Sequence, residues 1–426
     1  MSNQDGRDAP ARTNQDGEFG LLYFDLVTGE KRPYLSVVAT TRNDDHGGDA
    51  LARTQIFLDA LAAQCERHAL DAELVLVEWN PPADRPGLRD ALRWPKPGDH
   101  FEARIVEVPE SIHNRLENSD KLPLFQMIAK NVGIRRARGD FVLATNIDLI
   151  FSDGLMEFLA ERSLDPEIVY VTDRYDVADD IPEAPIDDQL RWCEQHLVRI
   201  HRRQGTYEFG TGRFYRIHED VMSPWWLASS LRLIRDTGRM ARRVARPTRR
   251  TASGVTTTRD RPAVSRRFPE SIPQAVRRSW FIERALMGLH TNACGDFTLL
   301  SREGWFATGG YAELPLYPGF IDALLMYEAH YAGYDELALP HRVYHLDHSG
   351  GFPPDQDGLD ELTVRLERRG IPQMSSEQFL DLVIEMYRTK KNVLEPSPDW
   401  GFSGEPLREY LVVREEGSPR SIEVNA

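Results

Sequence analysis

The sequence predicts an α/β fold in which a mostly parallel sheet is flanked by helices. Three features point to it. Short apolar runs rich in β-branched residues recur through the first third of the chain. Segments with apolar residues at helical spacing separate them. Polar residues follow several of those runs, where open α/β sheets bind their ligands.

Tyr34–Thr40 (YLSVVAT) is apolar without strict alternation, as a strand buried on both faces is. Residues 49–70 follow, with Leu51, Leu58, Leu61 and Cys65 at helical spacing. Glu73–Glu78 (ELVLVE) and Ala103–Val108 (ARIVEV) read as the second and third strands. Residues 122–138 read as a helix despite Gly133, and Phe141–Thr145 as the fourth strand. Strands alternating with helices make parallel βαβ units with right-handed crossovers. The residues just past strands one, two and four are therefore the candidates for chemistry.

The remaining chain divides by composition. Residues 1–18 read as a disordered tail and 19–350 as one α/β domain. Within it, 175–290 reads as an insertion. It opens acidic (Asp176, Asp179, Asp180, Glu183, Asp187, Asp188) and ends basic, with a flexible basic loop at about 247–268. Order returns over Asn292–Leu300, Ser301 is a plausible N-cap, and 320–333 is helical. Residues 351–426 read as a helical appendage with amphipathic stretches at 357–369 and 375–390.

The formal charge of −15 argues against nucleic acid as a general partner. Cys65, Cys193 and Cys294 are scattered and odd in number, which suggests neither a disulfide framework nor a zinc knuckle. No signal-like segment or apolar span is present, so a cytoplasmic protein is expected, possible membrane contact being peripheral.

The fourth strand runs into Asn146-Ile147-Asp148. Two oxygen-bearing side chains, two residues apart at a strand's carboxyl end, suit a hard divalent cation such as Mg²⁺ or Mn²⁺. Such a pair also closes strands as a simple Asx turn. Its neighbours are more specific. Thr41-Arg42-Asn43-Asp44 follows the first strand and Glu78 ends the second. Lys130-Asn131-Val132-Gly133 to Ala137-Arg138-Gly139-Asp140 leads into the fourth. Gly309-Gly310-Tyr311, Asp322, His341, His345 and His348 come later.

In that order and spacing, the set resembles the family 2 glycosyltransferases of the GT-A fold over about residues 35–350, the insertion excepted. The resemblance implies transfer of a sugar from a nucleotide-diphosphate donor to an acceptor hydroxyl, metal-assisted and with inversion. It implies that Thr41, Asn43, Glu78, Lys130 and Asn146 bind the nucleotide-sugar, and that Asp148 ligates the metal with His348 or His345. It makes Asp322 the general base, since an attacking alcohol must lose its proton. Asp296 is a further candidate, toward the acceptor. Three positions depart from the family pattern: Asn146 replaces the first aspartate of D-x-D, Ile321 a glutamate, and Glu328 a basic residue.

Residues 225–246 carry Leu227, Leu231, Ile234, Ala241 and Ala245 on one helical stripe and Arg232, Arg235, Arg239, Arg242 and Arg246 on another. After Trp225 and Trp226, such a helix suits an anionic membrane surface and a lipid-linked or glycan acceptor, or docks on the acidic stretch at 176–188. Two other functions fit less well. A sugar-phosphate nucleotidyltransferase wants a glycine-rich phosphate loop after the first strand, and residues 41–48 supply none. A non-enzymatic scaffold with a degenerate core accommodates Asn146 and Ile321.

Overall fold

The computed structural model describes residues 32–44, 47–96, 98–217, 285–286, 288–348, 356–415 and 418–423. The stretches read from sequence as a tail (1–18), a basic helix (225–246) and a loop (247–268) lie outside them.

Four strands form the parallel centre: β1 (Leu35–Thr41), β2 (Ala72–Trp79), β3 (Phe101–Val108) and β4 (Phe141–Thr145). β2 flanks β1 on one side, β4 flanks it on the other, and β3 lies outside β2. The strand order therefore reverses at β1, and its carboxyl end opens a crevice. These strands are almost wholly buried, which is why they read as continuous apolar runs.

The two sheet faces bury different partners. Val38, Val75 and Val77 face α2 (Gln126–Arg136) and α6 (Ile321–Ala332), through residues such as Val132 and Leu325. Leu35, Val37 and Ala39 face α1 (Ala50–His68) and α3 (Asp153–Ala160), through Phe57, Leu61 and Leu155. Each of these valine, leucine and phenylalanine side chains contributes about 1.5–3 kcal/mol by leaving water. Gly133 serves this packing: a Cβ there would stand 2.5 Å from Val38 Cγ1 and 3.0 Å from Val77 Cγ2. Alanine's better helix propensity yields to that close approach.

Beyond β4 come β5 (Leu149–Phe151), β6 (Ile168–Val177), α4 (Ile186–Gln195), β7 (Leu197–Arg202), β8 (Gly205–Glu208) and β9 (Phe214–Arg216). β10 (Phe297–Ser301) lies antiparallel between β4 and β6. Ser301 caps α5 (Arg302–Thr308) by accepting from the Gly304 amide. β11 (Asp335–Leu346) pairs parallel with β6 and antiparallel with β5. β7, β8 and β9 extend the sheet antiparallel from β6. The segment read as an insertion from 175 thus begins inside a sheet strand. Its first acidic residue, Asp176, is a sheet residue and not part of a solvated acidic run.

The C-terminal part also differs from a purely helical appendage. α7 (Gln356–Arg368) and α8 (Ser376–Thr389) form as expected, the latter behind a capping box of Ser375 and Gln378. The chain then adds β12 (Arg408–Glu415) antiparallel to β3, and β13 (Ser418–Glu423) beyond it. Arg104 on β3 pairs with Glu409 at 2.7 Å and with the buried Glu73 at 2.9 Å. Among the described residues no helix is long and apolar enough to cross a membrane.

Candidate metal centre and cleft

β4 ends at Thr145, and Asp148 follows the turn into β5. The Leu346 amide donates to the Asp148 carbonyl at 2.9 Å, which brings the end of β11 alongside. Asp148 Oδ2 lies 3.0 Å from His348 Nε2 and 3.6 Å from His345 Nε2. One ligand atom from each of the three residues falls within a 4.8 Å cluster. Asp148 Oδ1 is buried and has no hydrogen-bond partner among the described residues. A buried carboxylate oxygen left without a donor fits a cation.

The electrostatics agree. Burial opposes ionisation of Asp148, but His345 and His348 outweigh it and hold the carboxyl well below its usual range. Burial and Arg174 oppose a charge on His345, yet Asp148 and Asp176 push it up to about 10. Without a cation, a proton on His345 offsets the Asp148 charge; a bound cation would take over that role. An extended chain would point His345 and His348 to opposite sides. β11 stops at Leu346, so the chain turns and the two rings converge, with centroids 5.5 Å apart. His348 also faces the loop after β1, where a Cβ on Gly47 would meet its Nδ1 at 2.6 Å.

Beside this cluster lies a second group, around the turn Ala293–Asp296. Asp322, in the first turn of α6, accepts from the Gly295 amide at 3.0 Å and the Ala323 amide at 2.8 Å. Lys130 on α2 donates to the carbonyl of the same Gly295 at 2.7 Å. Gly295 is required here: a Cβ would sit 2.7 Å from Asp322 Oδ2. Asp322 keeps part of its surface open, and burial raises its pKa above the ordinary aspartate value. Lys130 is fully buried, and that burial lowers its pKa to about 8 against the pull of Asp296, Asp322 and Asp148. Its ammonium is engaged at Gly295.

Asn146 is engaged at both ends. Its carbonyl accepts from Gln126 at 2.8 Å, and its amide donates to Asp296 Oδ1 at 2.5 Å. The other Asp296 oxygen accepts from Arg174 at 2.6 Å. Asn146 and Asp296, far apart in the sequence, are thus partners of each other.

Across β1, Thr41 lies beside Glu78 in register. Glu78 is buried and accepts from the Leu88 amide at 2.8 Å. Burial, helped by Glu107, pushes its carboxyl up to about 7. Asn43 donates to the Pro86 carbonyl at 2.9 Å and ties the loop after β1 to the loop after β2. Thr41, Asn43 and Glu78 therefore form one corner, with Asp148 and its histidines past the other side of β1. Asn131, next to Lys130, serves the structure instead. It donates to the Tyr311 carbonyl and accepts from the Tyr311 amide, both at 2.8 Å, which pins the Gly309–Tyr311 turn.

Sequence reading missed Arg174, Asp176 and Gln126. The signal for the first two was present: Arg174 and Asp176 are two apart in β6 and share a face, as do Arg199 and His201 in β7.

The chain is a mixed α/β protein with a largely parallel central sheet. No family model matches it, and no curated protein does. Among solved structures it is similar to mannosyltransferase PcManGT from Pyrobaculum calidifontis, in complex with GDP-Man and Mn²⁺. That match has 12% identity and a TM-score of 0.34, and covers 84% of this chain and 70% of that one. It is also similar to GalNAc-T7 with UDP, GalNAc and Mn²⁺, at 14% identity and a TM-score of 0.33, covering 93% of this chain and 68% of that one.

Proposed function

We propose that the chain is a glycosyltransferase that moves a sugar from a nucleotide-diphosphate donor to an acceptor hydroxyl, with inversion and with a divalent cation. The observation that carries this reading is the Asp148, His345 and His348 cluster, beside the crevice where the strand order reverses. Bound there, a cation would supply positive charge against the departing diphosphate. One carboxylate and two imidazoles suit Mn²⁺ better than Mg²⁺, which prefers oxygen ligands.

The chain's own residues supply the rest. Glu78, with Thr41 and Asn43, faces the base and ribose. Asn146 is held by Gln126 and Asp296 at the edge of the donor site. Asp322 takes the acceptor proton: the O–H bond breaks, the oxygen bonds to the anomeric carbon, and the bond to the diphosphate breaks with its electron pair. The raised pKa of Asp322 makes its carboxylate a stronger base. A single displacement of this kind inverts the anomeric centre. The acceptor class is a glycan, lipid or small-molecule hydroxyl.

The test is thermal stability with UDP-, GDP-, CDP- and dTDP-sugars, with and without Mn²⁺. A donor at 100 times its Kd adds about 2.7 kcal/mol to stability. One nucleotide should raise Tm in a Mn²⁺-dependent way, and Asp148→Ala should abolish the shift. No shift with any donor refutes the reading and favours a scaffold with a degenerate core.

A further inference from the structure

Asp176 is fully buried in β6, yet four cationic or polar groups converge on it. Arg174 Nε lies 2.8 Å from Oδ1, and Arg199 Nε and His201 Nε2 each lie 2.9 Å from Oδ2. The fourth is His345, whose Nδ1 lies 3.2 Å from Oδ1. The sheet register dictates this meeting: Asp176 pairs with Arg199 of β7 on one side and His345 of β11 on the other. Interior charges are costly to desolvate, and replacing such a network with apolar packing is often neutral or better for stability. A role beyond stability accounts for its presence.

We propose that Asp176 is the positioning residue of the metal centre and fixes the orientation and tautomer of His345. This rests on the metal reading above. His345 presents Nε2 toward Asp148 and Nδ1 toward Asp176. To ligate through Nε2, the imidazole must keep its remaining proton on Nδ1. Asp176 Oδ1 faces that nitrogen at 3.2 Å, and Arg174 Nε lies on the same oxygen at 2.8 Å. Carboxylates in this position orient the ring and raise the basicity of the ligating nitrogen. Arg174 shares Oδ1 with His345, while Arg199 and His201 hold Oδ2. Arg174 also reaches Asp296 at 2.6 Å, which couples the metal centre to the Asn146 corner.

The first experiment titrates the full chain with Mn²⁺ alone and follows the paramagnetic resonance of the free ion. Asp176→Asn should weaken Mn²⁺ binding about 10–100-fold. Arg199→Gln, which touches the same carboxylate but not His345, should change it less than about threefold. In a His345→Gln background, Asp176→Asn should add less than about threefold, because the coupled ligand is already gone. The second experiment needs no folded variant of Asp176. In ¹⁵N-histidine-labelled wild-type protein loaded with Zn²⁺, His345 should carry its proton on Nδ1. Full affinity in Asp176→Asn, an equal loss in Arg199→Gln, or a proton on Nε2 each overturns the proposal. If the wild type binds Mn²⁺ and Asp148→Ala does not, the metal reading survives that result. If the wild type binds no Mn²⁺, both fall together.

Discussion

Replacing Glu328 with glutamine should stabilise the protein increasingly as pH rises. Glu328 lies in α6, is 3% exposed, and burial raises its carboxyl pKa to about 8 from an ordinary 4.5. The folded protein therefore holds a proton that the unfolded chain releases. Stability from this group is fully present below pH 4.5 and drains away up to about pH 8. At pH 7 the lost stability is about 3 kcal/mol, since 2.5 pH units at 1.36 kcal/mol each separate pH 7 from the unfolded pKa. At pH 5 it is under about 1 kcal/mol. Glutamine keeps the shape and cannot ionise. Urea unfolding of wild type and Glu328→Gln at pH 5, 6, 7 and 8 measures the difference. The gap should widen in favour of the variant by about 2.5 kcal/mol between pH 5 and 7. Glu78 titrates over part of the same range but is common to both proteins and cancels. Parallel profiles would refute the reasoning and show that Glu328 is solvated.

Two further predictions concern the cleft. Asn131→Ala strips the Gly309–Tyr311 turn of its side-chain anchor and leaves buried backbone groups unpaired; urea unfolding should show a loss of about 2–4 kcal/mol. Gly295→Ala forces Asp322 or the turn to move, so kcat should fall about 100-fold. Its Mn²⁺ affinity, measured by the same free-ion signal, should stay within about threefold, because Asp322 is not among the metal-cluster residues.

The parallel half of the sheet was legible because burial on both faces leaves a plain mark: apolar runs such as LSVVATT and LVLVEW need no long-range information. The helices at 50–68, 302–308 and 376–389 were legible from periodicity or, at Ser301, from a cap. β11 was not. Pro340 interrupts its pattern and removes a donor, and the structure places it at a register shift between Leu339 and Arg342. β12 was missed because it is mixed in polarity and defined by a partner about 300 residues away. The histidines were found by sequence, but their convergence was not: that depends on β11 ending at Leu346. Asp176 was hidden in a run of acidic residues, most of which are on the surface. Strand pairing separates it from them, and only tertiary structure reveals that.

The late pairing of β12 with β3 has a consequence for synthesis. Arg104 and Glu409 are 305 positions apart. A ribosome adding roughly 5–20 residues per second takes about 15–60 s to make that span. Throughout that time the β3 edge has no neighbour from β12, and Arg104 lacks Glu409. An open strand edge is a template for pairing with other chains. The nascent protein thus spends most of its synthesis with one edge of the central sheet exposed, a window in which a chaperone that shields strand edges would matter more than at any later time.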